Sequence, residues 1–184
     1  MYLALVFYPK IELDHFNVLR RKYDPYANLM KEHMPFVFPL DQKIGLAAFK
    51  AHVRSVLEGW SPFDIHLCNL RKTPDHWLML TLEEGRKESI RLHNALYTGI
   101  LAPYLRYDLP YEPHISLGHF GNEKWELENP LKTIDLDMPK YEKAMSEFKS
   151  LDLDMWRKVD QLTILGLDHA LRKCTDLVTV ELGI

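Results

Sequence analysis

Apolar residues recur along the chain with two different periods, and a period of two marks the strands. A strand is predicted where apolar and polar positions alternate, or where a short apolar run ends in a turn signal. Residues 63–71 and 76–82 flank the polar turn K-T-P-D and predict a hairpin. The other predicted strands are residues 3–8, 33–38, 111–120, 155–167 and 177–184.

Apolar residues spaced three and four positions apart mark the helices. Residues 42–60 place Leu46, Phe49, Val53 and Leu57 on one side of a predicted helix. Residues 121–138 follow neither period and predict a long connection. The other predicted helices are residues 11–23, 86–101 and 139–151.

The two halves of the chain repeat the same order of elements: helix, histidine-bearing strand, helix, hairpin. The hairpin turns also share letters, with L-R-K-T-P-D at residues 70–75 and L-R-K-C-T-D at residues 171–176. Polar turns often look alike, but the turn, the histidine and the order of elements together favour an internal duplication. We therefore predict a single α+β domain over residues 1–184. Its two similar lobes would cover approximately residues 10–84 and 86–184, each an antiparallel sheet backed by helices, with a groove between them.

The candidate chemistry lies in the strand predicted at residues 111–120. Successive side chains of a strand point to opposite faces, so His114 and Ser116 share one face while Ile115 and Leu117 share the other. An imidazole can move a proton and a hydroxyl can donate a hydrogen bond to a phosphate oxygen. His33 occupies the corresponding place in the first half. Two such lobes would set the imidazoles face to face across the groove.

Bulk composition narrows the class of protein. The 184 residues are 47% hydrophobic and carry a net charge of −3 with both signs interspersed, which argues against an extended nucleic-acid surface but leaves a nucleotide or an RNA end possible. Cys68 and Cys174 have no spacing typical of a disulfide framework or a thiolate zinc site. No metal or other cofactor is expected. No apolar run is long enough to span a membrane, and the expected location is the cytoplasm.

The two histidine motifs resemble those of the 2H phosphoesterases, the superfamily that includes the bacterial RNA 2′-5′ ligase and the cyclic phosphodiesterases. That superfamily carries two H-x-[TS]-x motifs on strands about half a chain apart. The second motif is intact here as H-I-S-L at residues 114–117, and the first is H-M-P-F at residues 33–36. The resemblance implies catalytic His33 and His114, a phosphate contact from Ser116, and hydrolysis of cyclic or 2′-5′ phosphodiesters on nucleotides or RNA ends. Reversible 2′-5′ ligation is known in some members.

Pro35 departs from the family pattern, because the matching position carries a hydroxyl. Proline has neither a side-chain donor nor a backbone N–H, so the His33 segment should be an edge strand or a bulged strand. Two interpretations follow. The protein could be an active esterase that lacks this phosphate contact or supplies it from another residue, or it could be a module that binds a phosphorylated ligand with little or no turnover. A third hypothesis is a small α+β protein whose histidines are incidental.

Three further residues are candidates for substrate contact. Arg71 and Arg172 lie in the two similar turns and could hold a phosphate, although hairpin turns need solvated charges in any case. Tyr111 precedes the intact motif and could stack on a base, as aromatic side chains do with unpaired nucleotides, or could simply pack on the fold.

Overall fold

Two four-stranded antiparallel sheets hold the strands of the structure, a computed structural model that describes residues 1–40, 44–123 and 135–183. Within these residues four α-helices accompany the sheets, and a 3₁₀ helix covers Gly99–Tyr104. The strands are β1 (Tyr2–Phe7), β2 (Met34–Leu40), β3 (Phe63–Lys72), β4 (Trp77–Leu82), β5 (His114–His119), β6 (Met155–Val159), β7 (Gln161–Leu167) and β8 (Cys174–Glu181). The helices are α1 (Asp14–Tyr23), α2 (Leu46–Leu57), α3 (Arg86–Leu96) and α4 (Met138–Lys149). This arrangement confirms the predicted α+β class and the β3–β4 hairpin.

Three predicted elements extend beyond the described residues. Residues 42–43 of the predicted second helix, residues 124–134 of the predicted connection and residue 184 of the last predicted strand all lie outside them. The predicted third helix ends earlier than expected, at Leu96, and the chain continues as the 3₁₀ helix.

The two sheets take their strands from different parts of the sequence. The first sheet has the order β2-β1-β7-β8, and the second has the order β5-β4-β3-β6. The first sheet therefore joins the two ends of the chain, while the second consists of strands from its middle. The expected lobe boundaries at residues 10–84 and 86–184 do not coincide with these sheets.

A single strand was expected over residues 155–167, and the structure corrects this. The stretch divides at Asp160: β6 pairs with β3 in the second sheet, while β7 pairs with β1 in the first. Asp160 accepts a backbone hydrogen bond from Leu182 at the break (2.8 Å). The sequence on both sides of Asp160 favours a strand, so the pattern contains no signal for a change of sheet.

The two similar turns occupy different places in the two sheets. The β3–β4 hairpin lies beside β5, the strand that begins with His114. The β7–β8 hairpin lies on the far side of β1 from β2, the strand that follows His33. The shared letters of the turns therefore do not mark equivalent positions.

One continuous apolar core joins both sheets to the helices. Phe49, Val53 and Leu57 of α2 are fully buried, as their spacing predicted. Leu5 of β1 and Leu80 of β4 belong to the same core. Burial of each such side chain stabilises the fold by about 1.5–3 kcal/mol. No helix within the described ranges has the length and apolar character needed to cross a membrane.

Side chains of α3 and of Tyr97, the residue that follows it, cover the free edge of β2. His93 donates its Nδ1–H to the carbonyl of Phe36 (2.9 Å), and the Phe38 N–H donates to the Tyr97 hydroxyl (3.0 Å). β2 is an edge strand, and its pairing with β1 contains register shifts. Its backbone groups would otherwise remain open for pairing with another chain.

Tyr111 completes this edge contact from the segment that leads into β5. Its hydroxyl donates to the carbonyl of Pro35 (2.8 Å), and its ring stacks on His93 with centroids 3.8 Å apart. We call His93, Tyr97 and Tyr111 the edge clamp. The clamp ties β2 of the first sheet to the elements that carry β5 of the second.

Fold stability should fall as pH drops from about 6.5 towards 4. Burial lowers the pKa of His93 from 6.5 to about 4, so the folded state resists the protonation that the unfolded chain accepts. The stability contributed by neutral His93 is present above pH 6.5 and is lost as pH falls to about 4. For a buried side chain the loss amounts to roughly 3 kcal/mol.

Urea unfolding at a series of pH values measures this effect. The His93→Phe variant should be less stable near neutrality, because the Phe36 carbonyl loses its donor, and should show a shallower decline with acid. The exposed His15 offers a control, since His15→Gln should keep the parental slope. A parental slope in His93→Phe would contradict the assignment.

Candidate active site

His114 and Ser116 lie on the face of the second sheet that points away from the helical core. Ile115 and Leu117, on the opposite face, are buried, whereas His114 and Ser116 remain half-buried. The predicted parity of the strand is therefore observed. Across the sheet, His114 pairs with Thr81 of β4.

Cross-strand pairing also places Arg71 on this face. Ser116 pairs with Met79 of β4, and Met79 pairs with Arg71 of β3. Directly paired residues share a face of the sheet, so Ser116, Met79 and Arg71 form one row beside the row that contains His114. No hydrogen bond of the Ser116 hydroxyl is found among the described residues, which leaves that donor available to a ligand.

The imidazoles of His33 and His114 are held in the same way. His33 Nδ1 lies 2.7 Å from the carbonyl oxygen of Lys31, and His114 Nδ1 lies 2.6 Å from that of Glu112. A carbonyl can only accept a hydrogen bond, so each Nδ1 carries the proton. In both neutral rings the lone pair is then on Nε2. The two histidines thus share one tautomer, each anchored two residues upstream.

The two edge strands β2 and β5 are in contact, and His33 lies close enough to His114 for the charge of one ring to act on the other. The pKa of His33 is lowered to about 4, mainly by burial, and the charges of Arg20 and of protonated His114 contribute in the same direction. The hydrogen bond to Lys31 and the charge of Asp24 act in the opposite direction. His33 is therefore neutral near pH 7 and can serve as a base.

The charged groups near His114 are carboxylates, whereas those near His33 include the Arg20 cation. Burial lowers the pKa of His114 too, while the Glu112 carbonyl and the carboxylates of Glu112 and Asp75 raise it. The positive charge of Arg20 opposes protonation of His33. The charged groups that act on His114 are the carboxylates of Glu112 and Asp75, which favour its protonated form. His114 is thus the ring that accepts a proton more readily.

Arg20 holds the segment that leads to His33. Its guanidinium is buried, bonds to the carboxylate of Asp24 (2.5 Å) and donates to the carbonyl of Met30 (3.3 Å). Glu32 lies 3.9 Å away as a second anionic partner. The sequence pattern did not predict this buried group, because an arginine in the last turn of an amphipathic helix is usually solvated. The spacing of Arg20 and Asp24, four positions apart, was the available signal.

Pro35 occupies an edge position, as its chemistry predicted. It pairs with Val6 of β1, where the ladder register shifts, and it is half-buried. Val6 belongs to a small apolar cluster on the face away from the main core, so Pro35 shares that face. Tyr111, a candidate for base stacking, instead packs its ring on His93 and near Phe38, and its hydroxyl is engaged by Pro35.

The two candidate arginines lie in different surroundings. Arg71 lies 3.4 Å from the carboxylate of Glu112, which also binds Arg86 at 2.7–2.8 Å. The Arg86 guanidinium in turn lowers the pKa of Glu112. Arg172 lies in the β7–β8 turn, pairs with Asp168 and is 83% exposed. The structure thus brings Arg71 and the unpredicted Arg86 next to the His114 segment, and it does not bring Arg172 there.

The fold is that of known phosphoesterases. The Escherichia coli LigT structure complexed with 3′-AMP is 17% identical over 98% of this chain and 97% of that chain, with a TM-score of 0.59. TT0787 of Thermus thermophilus is 13% identical over 100% and 98% of the respective chains (TM-score 0.61). A further structure, of a phosphoesterase, is 17% identical over 98% of each chain (TM-score 0.58). No curated protein matches the sequence.

The family follows from the sequence itself. The model of the 2′-5′ RNA ligase superfamily matches residues 8–164, a span that includes both histidine motifs. The chain belongs to this superfamily, the 2H phosphoesterases, and the resemblance noted in the motifs is confirmed. Membership indicates activity on a phosphodiester.

Removal of the Tyr111 hydroxyl should loosen the contact between the two sheets. Tyr111→Phe leaves the Pro35 carbonyl without this donor, at an expected cost of about 0.5–1.5 kcal/mol in the free energy of unfolding. Urea denaturation measures the change. Tyr107, which is 87% exposed, supplies the control, and Tyr107→Phe should be neutral. Equal effects of the two substitutions would contradict the role given to Tyr111.

Proposed function

We propose that this protein is a metal-independent phosphodiesterase acting on a 2′,3′-cyclic or 2′-5′ phosphodiester of a nucleotide or RNA end. His33 and His114 would be its catalytic residues, and Ser116 would bind the phosphate. The observation that carries the proposal is the matched pair of imidazoles, each anchored through Nδ1 to the carbonyl two residues upstream. This common anchoring leaves two equivalent Nε2 atoms for proton transfer.

The surrounding charges assign the two roles. His33 would act as the general base, because burial and the Arg20 guanidinium keep it neutral. His114 would act as the general acid, because Glu112 and Asp75 favour its protonated form. A bound phosphodiester adds a negative charge near both rings and raises their pKa values.

The proposed reaction is a single hydrolytic step in which one histidine takes up a proton and the other gives one away. His33 Nε2 takes a proton from water as the water oxygen bonds to phosphorus. The bond from phosphorus to the leaving ribose oxygen breaks, and that oxygen receives the proton of His114 Nε2. The product is a phosphomonoester with a free hydroxyl. The two histidines end in exchanged protonation states, and solvent restores them.

Ser116 and Arg71 would stabilise the phosphate during this step. The Ser116 hydroxyl can donate to a non-bridging oxygen, and Arg71 lies in the same cross-strand row. Arg71 is held only loosely by Glu112, so a phosphate oxygen can compete for its guanidinium. Arg86 would keep Glu112 in place through its two shorter bonds.

Pro35 supports a second candidate, a nucleotide-binding module with little or no turnover. At the position of the first motif that corresponds to Ser116, the chain offers a proline, which has no donor. Structures of E. coli LigT are described as complexes with 3′-AMP, NADP+ and ATP, so relatives of this fold bind nucleotides. A binding role therefore needs no change to the fold.

Replacement of either histidine should separate catalysis from binding. His33→Asn and His114→Asn should each reduce hydrolysis of a 2′,3′-cyclic nucleotide by about 10²–10⁴-fold, the usual contribution of a general acid or base. Both half-buried side chains contribute little packing, so thermal unfolding should change little. Turnover in the parent should persist in the presence of EDTA. Activity that disappears on chelation and returns with a divalent ion would contradict the mechanism.

The pH dependence of kcat/KM should reflect the two lowered pKa values. Below pH about 4 His33 is protonated and cannot act as a base, so the rate falls with acid. The rate should also fall as pH rises through the pKa of His114, which lies below 6.5 in the free protein. The optimum is therefore expected on the acid side of neutrality. His114→Asn should lose the alkaline limb, and an unchanged limb in that variant would contradict its role as the acid.

Pro35→Thr should raise turnover of a cyclic phosphate, because it supplies the hydroxyl of the family motif, which can donate a hydrogen bond to the phosphate. A hydrogen bond to a charged group is worth about 1.5–3 kcal/mol, or about ten- to a hundredfold in rate. Pro35→Ala is the control, because it restores the backbone N–H without the hydroxyl. Equal rates for the two variants would refute the hydroxyl argument. Nucleotide binding without turnover in all three proteins would favour the binding module.

A further inference from the structure

A second cluster of chemically active side chains lies on β3 and the turn that follows β4. It consists of His66, Cys68 and Glu83, whose ligand atoms all lie within 4.8 Å of one another. None of these residues has a part in the proposed phosphodiester chemistry. We propose that this cluster binds a zinc ion.

The spacing of the ligand atoms already approaches that of a tetrahedral zinc site. Cys68 Sγ lies 3.4 Å from Glu83 Oε2, and His66 Nδ1 lies 3.6 Å from the same oxygen. Zinc bonds of about 2.3 Å to sulfur and about 2.1 Å to nitrogen or oxygen put such pairs about 3.4–3.6 Å apart. Small side-chain rotations therefore suffice to bring all three donors onto one ion.

Asp154 orients the histidine for this role. His66 Nε2 lies 2.5 Å from Asp154 Oδ1, so the Nε2–H donates to that carboxylate and the Nδ1 lone pair is left on the side of Glu83. Metal-bound histidines commonly donate their second N–H to a carboxylate in this way. The ring is also fixed by stacking on Trp156, with centroids 4.6 Å apart and planes 2° from parallel. Both the tautomer and the orientation thus suit a metal ligand.

The local charge favours a cation over a phosphate. Asp64, Glu84 and Glu88 line the same open hollow as His66 and Glu83. Such a concentration of carboxylates attracts metal ions and repels anionic substrates. Zinc suits the mixed nitrogen, sulfur and oxygen donors, whereas calcium and magnesium require oxygen. Three protein ligands leave a fourth position open to water.

The spacing of the cysteines in the sequence gave no sign of this site. Its donors come from β3 and from Glu83, which β-pairing brings opposite His66: the Glu83 N–H donates to the His66 carbonyl (2.9 Å). Binding would replace the Cys68 thiol proton with zinc and release that proton to solvent. The ion would then link β3 to the turn between β4 and α3.

Zinc titration of the metal-free, reduced full-length protein tests the proposal. The expected result is one zinc per chain, together with a higher melting temperature. Cobalt in place of zinc should give the visible bands of tetrahedral coordination and a thiolate charge-transfer band. Cys68→Ser should lose the charge-transfer band and most of the affinity. Asp154→Asn should weaken binding about 10- to 100-fold.

Cys174→Ser is the matched control, because the second free cysteine is also half-buried but lies outside the cluster. It should bind zinc as the parent does, with circular dichroism confirming that each variant is folded. Three results would overturn the proposal: no zinc binding by the parent, equal affinity in Cys68→Ser and the parent, or loss of binding in His33→Asn instead. The last result would place the metal at the groove histidines.

Discussion

The geometry of the site depends on how the unpaired backbone groups along the free edge of β2 are satisfied. An edge strand presents free backbone groups, and here side chains of α3, of Tyr97 and of the segment before β5 satisfy them. Those hydrogen bonds fix β2 against the second sheet, so they also fix His33 relative to His114. Because Pro35 cannot donate through its backbone, its place on this edge costs no ladder bond.

The interleaved topology makes the groove a property of the whole chain. β1 and β2 form a sheet with β7 and β8, while β3 to β6 form the other. The chain crosses back to the first sheet at Asp160, so the first sheet combines strands from both ends of the chain, whereas the second comes from its middle. A disturbance at that crossing would therefore affect the support of both histidines.

Local patterns predicted the parts of the fold that depend on local physics. Alternation placed His114 and Ser116 on one face, and the character of proline placed Pro35 on an edge. The family followed from the two motifs. The change of sheet at Asp160 could not be predicted, because a strand pattern does not state which neighbour the strand will have.

The contacts that the sequence did not predict share one cause, namely that the partners are remote in sequence. Tyr111 packs on His93 and bonds to Pro35, contacts that no short window contains. The cluster of His66, Cys68 and Glu83 likewise depends on the pairing of β3 with the turn after β4. Sequence similarity between the two turns was misleading for the same reason, since it carried no information on sheet order.

The central claim is that His33 and His114 carry lone pairs on Nε2 and flank one phosphate. Nitrogen-15 NMR of the imidazoles, with and without a nucleoside 3′-monophosphate, measures this directly. We expect both rings to be neutral and protonated on Nδ1 near pH 7, with the nucleotide raising the pKa of both rings and protonating His114 first. Protonation on Nε2 in the free protein, or pKa values of both rings that do not respond to the nucleotide, would contradict the account.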